Sequence, residues 1–66
     1  MTTEDLLAEL TPNTDMALLV RRVAESRQPW VVVPASAISA WERRDPHGWK
    51  KVRDWLDAEG VTLVRI

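Results

Sequence analysis

The chain has no cysteine, one histidine and only two glycines among its 66 residues. Without cysteine it cannot be a disulfide-stapled mini-protein or a thiolate-zinc fold, and it cannot use a cysteine nucleophile. Two glycines cannot supply the glycine-rich loop of a P-loop or of a dinucleotide-binding fingerprint. These shortages exclude several large classes of nucleotide, metal and thiol chemistry, and we expect no cofactor and no metal.

Long apolar runs are also absent. The longest, Trp30 to Ala35, has six residues, whereas a helix that spans a bilayer needs about 20. The residues at the start of the chain, Thr2 to Asp5, are polar or acidic and lack the basic start of a signal peptide. The sequence therefore predicts a cytoplasmic protein with no membrane partner.

The aromatic residues are four tryptophans, with no phenylalanine or tyrosine, in a chain that is 45% hydrophobic and 29% charged. This balance is ordinary for a folded chain, and its length allows one small domain over residues 1–66. A chain of about 60 residues buries only about 60% of its unfolded surface, so such a core usually needs further support. We expect that support to come from an oligomer or a larger complex.

Hydrophobic periodicity predicts four helices. The first covers about residues 3–10, with Thr2 or Thr3 as its cap, and Thr2 and Asp5 have the spacing of a capping box. The second starts either at Pro12, capped by Thr11, or at Thr14, and it ends near Arg27 because Pro29 follows.

Ser36 is the predicted cap of the third helix. Residues 45–48 then form either a type I turn or the start of the fourth helix, with Asp45 as its cap and Pro46 at its first position. The fourth helix covers residues 48–59, and Gly60 occupies the position of a C-cap glycine. Its apolar stripe contains Trp49, Val52, Trp55 and Leu56. We expect these residues, with Ile38 and Trp41 of the third helix, to belong to the core.

Two strands complete the pattern, at residues 30–33 and 61–66. Because the first strand is a continuous apolar run, we expect it to be covered on both faces. The fold class is a small α+β domain of order α-α-β-α-α-β, and the second half has the spacing of a parallel βαβ unit. Two strands make a poor sheet, which oligomerisation would extend.

Candidate catalytic groups are sparse. His47 lies near Ser36, Ser39 and Asp45, but nothing in their spacing requires a triad, and a helix cap and a solvent-facing histidine are simpler interpretations. Asp54 and Asp57 fit a solvated helix face better than a magnesium site, because lysine and arginine interleave with them. We therefore predict no enzymatic activity and no small-molecule substrate.

Charge is unevenly distributed along the chain. Residues 1–20 contain four acidic residues and no basic one, whereas residues 21–53 contain eight basic residues and three acidic ones. The segment 36–59 resembles a helix-turn-helix and could meet DNA phosphates through five cations: Arg43, Arg44, Lys50, Lys51 and Arg53. The overall pI of about 5.7 argues against this, because nucleic-acid-binding domains are usually basic.

A protein partner is the favoured alternative, because arginine and tryptophan are enriched in interface hot spots. The predicted contact residues are Leu18, Arg21, Arg22, Trp30, Arg43 and Arg44. The strand at residues 61–66 is a candidate for pairing with a copy of itself or with another protein. The sequence thus predicts a non-catalytic protein-binding module, either a homodimer or an accessory or regulatory subunit, with a small DNA-binding transcriptional regulator as the alternative.

Overall fold

The computed structural model describes residues 2–11 and 13–66. These residues form the four helices and the two-stranded sheet that the sequence predicts. Along the chain the elements are α1 (Thr3–Glu9), α2 (Thr14–Ser26), β1 (Trp30–Val33), α3 (Ala35–Arg44), α4 (Pro46–Ala58) and β2 (Thr62–Arg65).

The first two helices begin at side-chain caps. Thr2 Oγ1 accepts a hydrogen bond from Asp5 N at 3.2 Å, and Asp5 Oδ2 accepts one from Thr2 N at 3.5 Å, so the predicted capping box is confirmed. Helix α2 begins at Thr14, with Asn13 Oδ1 accepting from Met16 N at 3.3 Å. The predicted cap at Thr11 is wrong, because its hydroxyl donates to Ala8 O at 2.8 Å. The alternative start at Pro12 falls on a residue outside the described ranges.

The start of α3 also differs from expectation. Ser36 is not its cap: the helix begins one residue earlier, at Ala35, and Pro34 occupies the N-cap position without a side-chain hydrogen bond. The proline ring holds φ at −60°, which turns the chain directly from β1 into the helix. Helix formation can therefore begin before the serine.

Asp45 is the single residue between α3 and α4, and it caps α4 with Pro46 as the first helical residue. The helix-start interpretation of residues 45–48 is therefore confirmed. Asp45 Oδ1 accepts a hydrogen bond from Gly48 N at 2.9 Å. A Cβ atom on Gly48 would lie 2.7 Å from Asp45 Cγ, so a side chain at this position would displace the Asp45 carboxylate from its capping position.

Helix α4 lies at the centre of the fold and packs against α1, α2, α3 and β2. The predicted stripe is confirmed, since Val52 is fully buried and Trp49, Trp55 and Leu56 are nearly so. Trp41 of α3 packs on Trp49 with ring centroids 5.3 Å apart. The rest of the core comprises Leu6, Leu10, Met16, Leu19, Val20, Val23, Val31, Val33 and Ile38.

A glycine-dependent turn directs the chain from α4 into β2. Gly60 has a φ of +72°, its N–H donates to Asp57 O at 3.1 Å, and Val61 N donates to Leu56 O at 2.9 Å. This pair of bonds is a Schellman motif, so the predicted C-cap glycine is confirmed. Strand β2 then runs parallel to β1, with Trp30 beside Thr62 and Val32 beside Val64.

The expectation that β1 is covered on both faces is wrong. Its side chains alternate between exposed and buried from Trp30 to Val33. Helix α4 packs against β2, and α1 and α2 pack on α4, while the side of the sheet that contains Trp30 and Val32 stays exposed. None of the helices in residues 2–11 and 13–66 is long and apolar enough to cross a membrane.

Candidate protein-binding surface

The two faces of the sheet have opposite environments. Val31 and Val33 point to the inner face, where they are 7% and 3% exposed. Trp30 and Val32 point to the outer face, where they are 52% and 43% exposed. Because successive side chains of a strand alternate in direction, one run of apolar residues supplies both the core and a surface.

The outer face, defined by Trp30, Val32, Val64 and Ile66, is apolar. Val32 and Val64 are register partners, and Ile66 extends the same side of β2, anchored by its N–H to Val33 O at 3.2 Å. Ile66 is the most exposed of the four at 74%. Thr62, beside Trp30, also lies on this side, so the outer face has no charged side chain. A contiguous uncharged apolar surface of this kind is typical of interaction sites.

Both strands also have a free edge. Thr62 N donates to Pro29 O, Ile66 N donates to Val33 O, and Ala35 N donates to Ile66 O. In a parallel pair, residues whose N–H and C=O groups face the neighbouring strand alternate with residues whose groups face away. The three hydrogen bonds show that the even-numbered residues of β2 are those that face β1. The N–H and C=O groups of Leu63 and Arg65 therefore point away from β1, and those of Trp30 and Val32 point away from β2.

Of the six predicted partner-binding residues, only the three on α2 lie together in one groove. Leu18, Arg21 and Arg22 line one shallow groove together with Glu25 and Ser26. Leu18 is 57% exposed, as expected from its position off the apolar stripe. This groove is a mixed apolar and charged surface, unlike the outer face of the sheet.

The other predicted contacts lie on different elements. Trp30 belongs to the outer face, while Arg43 and Arg44 are exposed in the last turn of α3. Arg44 lines a cleft that also contains Asp15 and Asp45. The six residues therefore do not form one site.

The cations proposed for DNA are also dispersed. Lys51 Nζ lies 3.0 Å from Glu9 Oε1, which connects α4 to α1. Lys50 and Arg53 lie on the exposed side of α4, but Asp54 and Asp57 share that side. At a helical repeat of 3.6 residues these four charges form one stripe with no net charge.

Sequence reasoning missed Val32, and it treated Val64 and Ile66 only as parts of a pairing strand. The predicted topology could have identified these residues as an exposed face. A single βαβ crossover places its helices on one face of the sheet. Because the first two helices can bury their apolar stripes on α4, the opposite face stays uncovered.

Other chemistry is sparse in the described parts of the chain. No group of three His, Asp or Glu side chains there is placed to hold a metal ion. His47 is exposed in the first turn of α4, as expected. The indole Nε1 atoms of Trp49 and Trp55 are buried without a hydrogen-bond partner among these residues.

Comparisons with protein-family models, with curated proteins and with solved structures find no match to this chain. The functional interpretation therefore depends on the geometry of the surface.

Proposed function

We propose that this protein is a non-catalytic protein-binding module of the cytoplasm, acting as a homodimer or as an accessory or regulatory subunit of a larger assembly. The proposal is based on the outer face of the sheet. Its four apolar side chains are adjacent, carry no charge and are between 38% and 74% exposed.

The chemistry of the outer face indicates the kind of partner. An uncharged surface gains most from another apolar surface, because burying an unpaired charge against it would be costly. Trp30 provides the largest side chain, and tryptophan is among the residues that most often dominate binding energy. The unpaired backbone groups at the sheet edges add a second mode of contact, the addition of a strand.

Native mass spectrometry of tagged protein, recovered gently from its source cells, tests the proposal. We expect a species larger than the monomer, either a dimer or a stoichiometric complex. Val32→Glu should remove a species that forms through the outer face, because the new carboxylate would lie in that contact surface. Ser39→Glu introduces the same charge at an exposed position of α3 and should leave the species intact.

A third variant distinguishes the outer face from the groove on α2. Leu18→Glu replaces an exposed apolar residue there with the same acid. If Leu18→Glu removes the larger species and Val32→Glu does not, the contact surface is on α2 and the outer-face proposal is wrong. Thermal melting of all three variants checks that each one folds.

DNA binding is the second candidate function. The observation in its favour is that α3 and α4 are consecutive helices, with Arg43 and Arg44 exposed in the last turn of α3 and Lys50 and Arg53 exposed on α4. Two observations weaken it: Lys51 is paired with Glu9, and the exposed side of α4 is neutral. Phosphate contacts would make binding fall steeply as salt rises, so a salt titration with duplex DNA separates this function from apolar contact.

A further inference from the structure

We infer that the partner of this sheet is a second copy of the chain, paired antiparallel through the free edge of β2 with Val64 opposite Val64 of the other copy. The inference rests on the proposed function, which includes a homodimer, and it places the contact between the two copies at the edge of the sheet. The resulting sheet has four strands, in the order β1-β2-β2-β1.

The hydrogen-bond pattern selects this register. In an antiparallel pair, a hydrogen-bonded residue exchanges both its N–H and its C=O with the residue opposite. With Val64 on the two-fold axis, Leu63 of each copy lies opposite Arg65 of the other. Since Leu63 and Arg65 are the β2 residues whose backbone groups face outward, every outward-facing group on both strands gains a partner.

Neighbouring registers are less favourable. Centring the axis on Arg65 would place two arginines directly opposite each other, which is destabilising. Centring it on Leu63 would pair Arg65 with Val61, but the Val61 N–H already donates to Leu56 O at 2.9 Å. The register on Val64 avoids both problems.

Charge complementarity favours the same arrangement. Leu63 lines a shallow groove with Asp54, Asp57 and Arg53 of α4. In the proposed register, Arg65 of the second copy lies opposite Leu63 and on the same side of the sheet. Its stem can cover Leu63, while its guanidinium lies beside a groove that contains two carboxylates. The two-fold axis repeats this contact in the other copy.

The edge of β1 is less suited to pairing. The backbone groups of Trp30 and Val32 face away from β2. The next residue whose backbone would face the same way is Pro34, which has no N–H. Pro29 precedes the strand, and α3 begins immediately after Pro34. Proline next to an edge is a common device that prevents strand addition.

Pairing through β2 also enlarges the outer face. A two-fold axis perpendicular to the sheet keeps Val64 of both copies on the same side. The two outer faces then form one surface with paired valines at its centre and a Trp30 toward each side. The self-pairing and the proposed contact with further protein are therefore compatible.

Cysteine cross-linking tests the register directly, because the chain contains no cysteine of its own. Opposite residues in a non-hydrogen-bonded antiparallel pair have Cα atoms about 4.5 Å apart, within the range a disulfide spans. Val64→Cys should give a covalent dimer under mild oxidation, which a reductant reverses. The matched control is Thr62→Cys, on the same side of β2, because the two copies of this position would lie roughly 13 Å apart.

A second pair of variants tests the backbone contribution. Arg65→Pro removes an N–H that faces away from β1, so the monomer should keep its fold, as circular dichroism can verify, and the dimer should be lost in sedimentation. Arg65→Thr keeps that N–H and should retain the dimer in measurable amount. If Arg65→Pro sediments as a dimer like the parent, the edge of β2 is not the interface.

The results separate this inference from the proposed function. If the purified parent is a monomer, or if Val64→Cys cross-links no better than Thr62→Cys, the register inference is wrong. The proposed function would still stand if Val32→Glu abolished association with another protein. Conversely, cross-linking at Val64 would support the inference even if Val32→Glu left every larger species unchanged.

Discussion

Val32 and Val33 are identical residues at adjacent positions of one strand, yet Val32 is 43% exposed and Val33 is 3% exposed. Both favour extended backbone equally, and both belong to the pairing of β1 with β2. The difference arises because the helices cover only the face to which Val33 points. The comparison teaches that strand preference forms the sheet, whereas the position of the helical layer decides which side chains stabilise the fold and which can meet a partner.

The largest expected effect is at the centre of the helical layer. Val52→Asp should unfold the protein, costing about 4 kcal/mol or more, because it places an unpaired carboxylate at a fully buried position. Urea denaturation followed by tryptophan fluorescence measures the change. Lys50→Asp, at an exposed position of the same helix, is the control and should melt nearly like the parent. A stable Val52→Asp variant would contradict the position of α4 in the core.

The next effect compares the two faces of the sheet. Val33→Ala should destabilise the protein by about 2 kcal/mol, because it removes buried methyl groups and leaves a cavity. Val32→Ala should change the free energy of unfolding of the monomer by less than about 0.5 kcal/mol, since its side chain faces outward. Equal costs in urea denaturation would show that the outer face is covered within a single chain.

A smaller effect concerns the turn that sets β2 in register with β1. Gly60→Ala should cost about 1 kcal/mol, because a Cβ atom disfavours the φ of +72°. No atom lies within 4 Å of that Cβ position, so the cost is conformational. Gly60→Asn should cost less, since asparagine tolerates the left-handed region better. Thermal denaturation of both variants measures the difference, and the reverse order would contradict this account.

The smallest effect is at the surface of the helical layer. Glu9→Gln removes the ion pair with Lys51, whose side chains are 44% and 43% exposed. The cost should be about 0.5 kcal/mol or less at low salt, because solvent screens such a pair. It should shrink further as ionic strength rises. A large cost that salt does not change would contradict the interpretation of this contact as a solvent-screened ion pair.

Local sequence signals predicted much of the fold. The capping box at Thr2, the proline and aspartate at the start of α4, and Gly60 at its end all act within a few residues, so sequence spacing suffices to identify them. The stripe from Trp49 to Leu56 is equally local, because helical periodicity determines which residues share a face. Ser36 and Thr11 failed as caps, since proline geometry and a nearby asparagine provided competing helix starts.

The surface was harder to predict. Leu18, Arg21 and Arg22 do lie together in one groove, because they are neighbours on one helix. Arg43, Arg44 and Trp30 were grouped with them by residue type, which carries no information about position in space. Val32 was missed because a run of three valines is compatible with a strand covered on one face or on both.

The sequence by itself determined the four helices, the two strands and several helix ends, because each depends on interactions between residues close along the chain. Only the tertiary structure decided that the helices leave one face of the sheet uncovered, so that Val33 is core and Val32 is surface. That outcome depends on the packing of α1 and α2 on α4, which brings together residues far apart in the chain. The same packing leaves the edge of β2 and the outer face open, and on these surfaces the proposed binding function depends.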